Sequence, residues 1–570
     1  MDGSASLLDT RGADLIARHA STLEKAIEVV RTRQSWSPFN DSPSTKIHGA
    51  QKPLTGQAAY EARLNTLYDL DQPGVVGEAG AEISPYTGQP LNLRYPVSDP
   101  AVLIDAASTA MGPWREIDFE FRLALCLEMA ARLYDRNFEM AHAVMHVTGQ
   151  SYTQAFSGSG PNALDRGIEA IAYAAKAMRD VTPSADYHRD FAGEPVALRK
   201  TYSLVPRGVG LVICCASFPT WNAYPAMFAS LATGNPVIVK PHPIAILPMA
   251  IAVETCRSVL SENGFDPNLV TLAVDTLDEP VAMRFIDNSK VQIIDFTGSP
   301  RFGGHLERTV TGKLLFTETA GVNTVVIDSV AEVEPVARAI ARAASLFSAQ
   351  MCTSPQVVYI APALFEAMSA AIVGQIDAIA SDPALAAGIM GAIQAEASQT
   401  VVAETRAAVE GLVGVGILRE AAPYAHPQFP DARTLTPMVV AVEAGDHHEL
   451  YAEERFGPVL FLVNREPEKA VTEATGLART RGSISSYLYS TDEAFIDRAT
   501  PAYETAGANL SINLTGAMWI NFAAAYSDFH VTGLNPAGNA CLADLAFVAS
   551  RFRIVQRRRP IPLVGMEAAQ

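Results

Sequence analysis

Strand-like and helix-like segments alternate along the middle of the chain, and this alternation limits the folds that are open to it. An apolar run at 205–217 leads through a turn into a helical pattern at 222–233, and a short buried strand follows at 236–240. The alternation continues in four segments: helix 248–264, strand 269–274, helix 279–289 and strand 291–296. Strands separated by helices predict a parallel sheet with helices on both faces.

A second unit of the same type follows the first. A strand-like run at 322–327 precedes a helical pattern at 333–349, and further strand-like runs lie at 486–489 and 509–513. Upstream of both units, apolar residues recur at helical spacing over 117–146, which predicts one long helix. We therefore predict an α/β protein with two sheet-containing units.

Composition sets the size of the core and the class of partner. The chain has 570 residues, of which 49% are apolar and 18% charged, so it can bury a large core in two or three domains. Its net charge of −18 disfavours binding to nucleic acid or to an anionic membrane. We expect no nucleic acid and no membrane among its partners.

The cysteines and the apolar segments bear on metals and location. The six cysteines form no CxxC pair and no zinc spacing, so we predict no metal site and reduced thiols. The first 15 residues lack the apolar core of an export signal. The most apolar stretch, 204–239, is interrupted by proline and glycine, which argues against a membrane span. These features predict a cytoplasmic protein.

Two residues suggest a nucleophile and its base. Cys352 and Glu318 each lie in a short turn-like segment, and a thiol served by a carboxylate is a common arrangement for covalent catalysis. Each also has an ordinary explanation when taken alone. A buried thiol is usually structural, and a carboxylate is usually solvated or paired.

Three other segments suggest a bound phosphate or nucleotide. Gly298 and Ser299 follow a predicted strand, and such a turn presents backbone N–H groups to phosphate. Lys240 ends a buried strand, at the edge of a parallel sheet where ligands collect. Glu454 precedes a Gly-Pro turn that needs no ligand. No GxGxxG motif supports the interpretation, and ordinary surface roles stay open.

The order and spacing of these segments resemble the aldehyde dehydrogenase superfamily. The matching segments are 234–241 (GNPVIVKP), 296–299 (FTGS), 318–321 (ETAG), 350–352 (QMC) and 454–458 (ERFGP). Within it, 214–222 (CCASFPTWN) and 240–243 (KPHP) resemble the PaaN-type branch, the ring-opening semialdehyde dehydrogenases of phenylacetic acid degradation.

This resemblance implies an aldehyde dehydrogenase-like fold with two doubly wound α/β domains and an oligomerisation arm. Residues 1–317 would form a wrapping segment and the NAD(P)-binding domain, with arm strands near 187–203. Residues 318–525 would form the catalytic domain. Residues 526–570 would be a tail that packs on the first domain or on a partner subunit. A homodimer or homotetramer is implied.

The resemblance also implies a reaction. Cys352 would attack an aldehyde to give a thiohemiacetal, and Glu318 would activate the water that hydrolyses the resulting thioester. Because CoA-acylating members lack this base, we expect a free carboxylic acid as product. The branch resemblance implies that the aldehyde is the ω-semialdehyde of a CoA thioester made when an aromatic ring opens.

Cofactor contacts are implied in the same way. Lys240 would bind the adenosine ribose, Gly298 and Ser299 the pyrophosphate, and Glu454 with Phe456 the nicotinamide ribose.

One departure from the family pattern concerns the choice between NAD and NADP. NAD-preferring relatives carry a glutamate where this chain has Pro243, and the glycines usual after the next strand are replaced by 275–279 (DTLDE). With no carboxylate at 243, Lys240 and His242 could receive a 2′-phosphate. We therefore expect NADP to be used at least as well as NAD.

A second departure concerns the oxyanion site. Ser217 stands where the family has an asparagine, and loss of a good oxyanion donor costs roughly 3–4 kcal/mol in the transition state. Asn222 lies in the following helix and is not expected to reach back. Either Ser217 acts with a water or the chemistry is slow. The alternatives are a CoA-acylating, low-activity or non-catalytic homologue, and a cysteine hydrolase built on Cys352.

Overall fold

The computed structural model describes residues 3–319, 321–444, 447–516, 524–528 and 544–562. The first part of the chain is a mainly helical layer that packs on the helices of the first large sheet. Its elements are α1 Gly3–Thr32, α2 Thr45–His48, α3 Gln51–Glu61, β1 Val75–Ala79, β2 Tyr95–Ser98, α4 Pro100–Glu116, α5 Phe119–Asp135, α6 Asn137–Thr148, α7 Tyr152–Ser157 and α8 Pro161–Arg179.

The single helix predicted over 117–146 is two helices in the structure. The chain leaves helical geometry at Arg136, between α5 and α6. Asn137 is buried there and donates to the carbonyl of Phe156, while the Arg136 guanidinium contacts Glu139 and Glu254. Helical periodicity continues across the break, so the apolar pattern gave no sign of it.

A two-stranded ribbon follows the helical layer. It consists of β3 Ser184–Phe191 and β4 Glu194–Pro206, which pair antiparallel. All eight residues of β3 are at least partly exposed. The ribbon covers the region near 187–203 in which the sequence predicted an oligomerisation arm.

The first large sheet has five parallel strands in the order β7-β6-β5-β8-β9. Its elements are β5 Val209–Ile213, α9 Pro219–Ala232, β6 Val237–Lys240, α10 Leu247–Glu262, β7 Val270–Leu272, α11 Ala282–Ile286, β8 Val291–Gly298, α12 Pro300–Thr309 and β9 Leu314–Thr319. The chain passes from β5 to β6 and β7 on one side, then returns to β8 on the other. Ligands of open α/β sheets bind at such a reversal, beyond the carboxyl ends of the strands.

The second large sheet has seven strands in the order β12-β13-β14-β11-β10-β15-β16, all parallel except β12. Its elements are β10 Asn323–Ile327, α13 Val333–Ser345, β11 Pro355–Ile360, α14 Phe365–Ser381, α15 Pro383–Met390, α16 Glu396–Val409, β12 Val415–Arg419, β13 Met438–Val442, β14 Val459–Asn464, α17 Pro467–Arg481, β15 Ser486–Tyr489, α18 Glu493–Ala506 and β16 Leu510–Ile512.

Apolar clusters cover both faces of the second sheet, as expected for a doubly wound unit. The predicted α/β class with two sheet-containing units is confirmed. The predicted domain boundary between 317 and 318 falls inside β9, and the chain enters the second sheet at Asn323.

The helix predicted over 333–349 ends earlier than expected. α13 stops at Ser345, and Phe347, Ser348 and Ala349 follow with φ values of 50°, 48° and 54°. L-residues rarely adopt this left-handed region, since Cβ approaches the following carbonyl. The predicted helix end was therefore wrong. Residues 347–349 have a helical sequence pattern, but tertiary contacts hold them in the left-handed conformation.

The described part of the C-terminal tail packs on the first unit. α19 Leu545–Ala549 contacts α8, and β17 Phe552–Pro560 pairs antiparallel with β4 to make a three-stranded arm sheet. Between them, buried Arg551 makes two contacts of 2.6 and 2.9 Å with Asp295 of β8. Residues 529–543 and 563–570 of the predicted 526–570 tail lie outside the described residues.

One helical stretch within the described residues, Pro362–Ser381, has the length and apolar composition of a membrane span. Its buried side chains join the core beside α13. A core helix passes the same test, so this single stretch is weak evidence for a membrane segment.

Candidate active site

The Cys352 loop is held in place by one amide side chain. Asn323, the first residue of β10, donates from Nδ2 to the carbonyls of Cys352 (2.8 Å) and Ser354 (3.0 Å). Its Oδ1 accepts the N–H groups of Ile484 and Ser485, both at 3.0 Å. Asn323 thus ties the loop to the segment before β15. Sequence reasoning missed this residue, and the available signal was an amide at the start of a buried strand.

The left-handed turn before Cys352 is anchored at several points. The Ser348 hydroxyl donates to the Leu435 carbonyl at 3.0 Å. The Gln350 amide donates to the Ala392 carbonyl at 3.1 Å and accepts from the Gln394 N–H at 3.0 Å. Left-handed backbone at non-glycine residues costs about 1–3 kcal/mol each and persists only when surrounding contacts fix it. These hydrogen bonds supply that support.

The Cys352 thiol sits among acidic groups. Burial raises its pKa well above the usual range for cysteine, and the nearby Glu318, Cys215 and Glu454 raise it further. The structure therefore brings predicted residues Cys352, Glu318 and Glu454 into one electrostatic neighbourhood. The thiol is protonated at neutral pH, so an attack on a carbonyl requires a base to remove its proton.

The two carboxyl groups come from different units. Glu318 lies near the end of β9 in the first sheet and is buried. Glu454 lies in the turn before β14 and is partly exposed, yet burial raises its pKa to about 8. Residues from both units therefore meet at Cys352.

Ser217 lies in the turn between β5 and α9. Its carbonyl accepts from the Gln150 amide at 2.8 Å, and its hydroxyl makes a hydrogen bond with the Cys215 thiol. The same thiol lies 3.3 Å from Oδ1 of Asn222. Asn222 lies in the following helix, as expected, and contacts this turn through Cys215. Cys215 joins Ser217 and Asn222 to the surroundings of Cys352 and was missed by the sequence reasoning.

A second charged cluster lies at the other end of the first sheet. The Lys240 ammonium, at the end of β6, donates to the Pro241 carbonyl at 3.1 Å and lies 2.6 Å from Oδ1 of Asp275. Burial, and next the charge of Lys240, lower the pKa of His242 to about 4. Asp275 was not predicted as a site residue. It lies after β7 whereas Lys240 ends β6, so their pairing is visible only in the folded structure.

The start of α12 is suited to phosphate. Gly298 ends β8, and the Ser299 hydroxyl caps the helix by accepting the N–H of Phe302 at 3.4 Å. Ser299, Pro300 and Arg301 are exposed, so the first N–H groups and the positive end of the helix dipole face outward. The structure places this helix start beside the strand reversal between β5 and β8.

These residues fit an extended dinucleotide. The five strands of the first sheet span four gaps of ~4.8 Å, or about 19 Å in all, from β7 to β9. Lys240 ends β6, the second strand from one edge, Ser299 follows β8, the second strand from the other edge, and Glu318 lies in β9 at that edge. Glu454 and Phe456 approach from the second unit, where both are partly exposed. Within the described ranges, no group of three or more His, Cys, Asp or Glu side chains is placed to hold a metal ion.

A large cavity opens onto the thiol. Its volume is about 1250 Å³, above the usual range of roughly 300–1,000 Å³ for small-molecule sites. The lining includes Phe218, Trp221, Arg342, Met351, Cys352 and Tyr487. The site therefore combines a cavity large enough for an organic substrate, a thiol with a neighbouring base, and a sheet edge long enough to bind a dinucleotide.

Comparison with known proteins extends this description. Residues 78–522 match the model of the aldehyde dehydrogenase family. A crystal structure of an NAD-dependent aldehyde dehydrogenase from Burkholderia multivorans is 41% identical, covers 96% of this chain and 99% of its own, and superposes with a TM-score of 0.91.

Curated relatives are more distant. 1-Pyrroline-5-carboxylate dehydrogenase 2 of Bacillus subtilis (strain 168) is 26% identical over 311 residues, which is 52% of this chain and 53% of that protein. N-succinylglutamate 5-semialdehyde dehydrogenase of Vibrio cholerae serotype O1 (strain M66-2) is 25% identical over 458 residues, 77% of this chain and 87% of that protein. The chain thus spans about half the length of the first of these relatives.

Proposed function

The chain belongs to the aldehyde dehydrogenase family, and we propose that it oxidises an aldehyde to a carboxylic acid with NAD(P) as the hydride acceptor. The observation that carries the proposal is the meeting of Cys352 with Glu318 and Glu454 beside a substrate-sized cavity. A structural thiol needs neither the cavity nor the carboxyl groups.

Catalysis begins with proton removal from Cys352. Glu318 takes the proton, and Sγ attacks the carbonyl carbon to form the C–S bond of a thiohemiacetal. The Ser217 hydroxyl and the Cys352 N–H stabilise the charge that develops on the carbonyl oxygen. A bound nicotinamide dinucleotide would supply the hydride acceptor for this carbon, and Cys352 would then hold the oxidised acyl group as a thioester.

Hydrolysis completes the turnover. Glu318 first releases to solvent the proton that it took from Cys352, and then takes a proton from a water molecule whose oxygen attacks the thioester carbonyl. The C–S bond breaks, the sulfur leaves as thiolate, and the carboxylic acid departs. Glu318 serves as the base, while Glu454 and Phe456 would hold the nicotinamide ribose of a bound dinucleotide. Lys240 and His242 would hold its adenosine end, and Gly298 and Ser299 its pyrophosphate.

The cavity supports a substrate larger than a simple aldehyde. Our finer proposal is the ω-semialdehyde of a CoA thioester formed by aromatic ring opening, as in the PaaN-type branch. A second candidate is an amino-acid-derived semialdehyde with a free carboxylate. The relatives named for such substrates favour it, as does the exposed guanidinium of Arg342 in the cavity wall.

Assembly and location complete the proposal. The arm sheet of β3, β4 and β17 carries exposed apolar residues, among them Phe191, Ile554 and Val555. Exposed apolar strands favour contact with a second copy, so we propose a cytoplasmic homodimer or homotetramer in which this sheet takes part.

An aldehyde panel tests the function. Purified protein is incubated with simple aldehydes, carboxylate-bearing semialdehydes and a CoA-linked semialdehyde, with NAD and with NADP. Absorbance follows nucleotide reduction, and chromatography identifies the product. We expect a free acid, formed only with nucleotide and lost in Cys352→Ala.

Other products would indicate another function. An acyl-CoA formed at the aldehyde carbon in the presence of CoA would indicate an acylating enzyme. Hydrolysis of ester or amide substrates without nucleotide, dependent on Cys352, would indicate a cysteine hydrolase. Nucleotide reduction absent with every aldehyde would leave a non-catalytic homologue.

A further inference from the structure

The two halves of a bound dinucleotide would lie over different strands of the first sheet. The hydride acceptor has to reach Cys352, whose surroundings include Glu318 of β9. The nicotinamide half therefore lies toward β8 and β9. An extended molecule that crosses the strand reversal places its adenosine half over β6 and β7, where Lys240 and Asp275 stand.

A carboxylate is built into this adenosine end. The Lys240 and Asp275 side chains are 8% and 1% exposed, and Nζ lies 2.6 Å from Oδ1. The N–H of Val281 donates to Oδ2 at 3.0 Å, which fixes the carboxylate in place. Oδ1 receives no hydrogen bond from any residue that the structure describes, since the ammonium contact lacks hydrogen-bond geometry.

The charges at this end therefore cancel. Asp275 neutralises Lys240, and His242 is neutral at pH 7 because its pKa is held near 4. A 2′-phosphate brings about −1.5 to −2 charges and would find no surplus positive charge among these three described side chains. A 2′-hydroxyl brings no charge and suits a neutral site. The carboxylate that the chain lacks at Pro243 is supplied by the segment after β7.

We propose that the buried Lys240–Asp275 pair makes the nucleotide site selective for NAD over NADP. This inference rests on the proposed function, because it assumes that the first sheet binds a nicotinamide dinucleotide. The sequence alone predicted that NADP is used at least as well as NAD, on the premise that Lys240 and His242 could receive the 2′-phosphate. The pairing of Lys240 with Asp275 removes that premise. We expect NADH to bind at least tenfold more tightly than NADPH.

Direct binding tests the proposal without turnover. Dissociation constants for NADH and NADPH are measured by titration calorimetry on the full-length protein at pH 7.5. Asp275→Asn removes the charge and keeps an acceptor for the Val281 N–H. We expect it to lower the NADPH-to-NADH ratio of dissociation constants at least fivefold, mainly through tighter NADPH binding.

Two further variants distinguish the effect of the Lys240–Asp275 pair from the effects of overall charge and of His242. Asp278→Asn makes the same charge change at an exposed position of the same loop and should leave the ratio unchanged. His242→Gln tests the alternative of an imidazole that receives the phosphate, and it should not raise the ratio because the imidazole is already neutral. These controls and the wild-type ratio still test the proposal if Asp275→Asn does not fold, which circular dichroism would reveal.

Three results would overturn the inference. Wild-type dissociation constants within twofold of each other would show that the site does not discriminate. Equal shifts in Asp275→Asn and Asp278→Asn would trace the effect to overall charge. A rise of the ratio in His242→Gln would show a charged imidazole that receives phosphate. Failure of both nucleotides to bind would overturn the proposed function as well, whereas equal binding would overturn only this inference.

Discussion

The proposed nucleotide site lies at the carboxyl ends of the strands of the first sheet, and its two ends differ in the charges around their buried ionisable groups. At one, the compensated end, Lys240 and Asp275 form an ion pair of opposite charges. At the other, Cys352 is surrounded by Glu318, Cys215 and Glu454, and all three raise the pKa of the thiol. The compensated end can bind a ligand without a change in protonation. The acidic end keeps the thiol neutral until a substrate carbonyl and a base are both in place.

The largest expected effect comes from removing the thiol at the acidic end. Cys352→Ala should lower kcat at least about 10⁴-fold, because Cys352 is the thiol that lines the substrate cavity. Nucleotide dissociation constants, measured by calorimetry, should stay within about threefold since the compensated end is intact. Cys215→Ala is the matched control and should retain activity within about tenfold. An equal loss in both variants would contradict the assignment of Cys352 as the sole nucleophile.

Removal of one partner of the buried Lys240–Asp275 pair should destabilise the protein more than removal of one partner of a surface ion pair. Lys240→Met leaves the Asp275 carboxylate buried and unpaired, which should lower the free energy of unfolding by about 3–5 kcal/mol. Lys290→Met is the control, because Lys290 pairs with Asp105 on the surface and should contribute at most about 1 kcal/mol. Urea unfolding compares the two. Equal losses would mean that burial of the first pair has no energetic consequence.

The acidic groups around Cys352 should determine how the rate of thiol labelling depends on pH. Because burial and the neighbouring acids raise the pKa of Cys352, the thiolate fraction should increase about tenfold per pH unit between pH 6 and 8.5. Iodoacetamide labelling of Cys352, followed by peptide mass spectrometry without nucleotide, measures this. Glu318→Gln removes the proposed base and should abolish acid formation. A labelling plateau near pH 7 would refute this electrostatic account.

The smallest expected effect concerns Glu454 and stability. Its folded pKa of about 8 exceeds the unfolded value, so the native state binds the extra proton and loses stability as pH rises from about 4.5 through 8. The full shift corresponds to roughly 5 kcal/mol. Because Glu454 is partly exposed and solvent screens its charge, we expect Glu454→Gln to gain about 1–2 kcal/mol over wild type as pH rises from 5 to 9, seen by urea unfolding at each pH. The exposed neighbour Glu453→Gln should show no such gain. A gain that is constant with pH would contradict the raised pKa.

Much of the scaffold was predictable from local pattern. Buried parallel strands are short apolar runs bounded by turns, so β6 and β8 stood out, as did β10 and β15 of the second unit. Helix ends were harder. The left-handed turn after α13 and the break between α5 and α6 are fixed by hydrogen bonds to distant residues, which no local pattern records.

Part of the site was also predictable, because its members lie in segments with a recognisable order. Cys352, Glu318 and Glu454 were singled out, and the structure brings them together. Asp275 and Asn323 were not. A single aspartate after a strand and a single asparagine at the start of one are ordinary in sequence. Their importance comes from the ammonium and the carbonyls they face.

The sequence by itself determined the α/β class, the family and the residues available for a thiol-based oxidation. It could do so because strand and helix periodicity and the motif order are local properties of the chain. The tertiary structure alone decided the charge balance at each end of the nucleotide edge. The field at Lys240 depends on a carboxylate from the next strand, and the field at Cys352 depends on acids from two units. Electrostatic interaction follows distance in space, and the fold sets that distance.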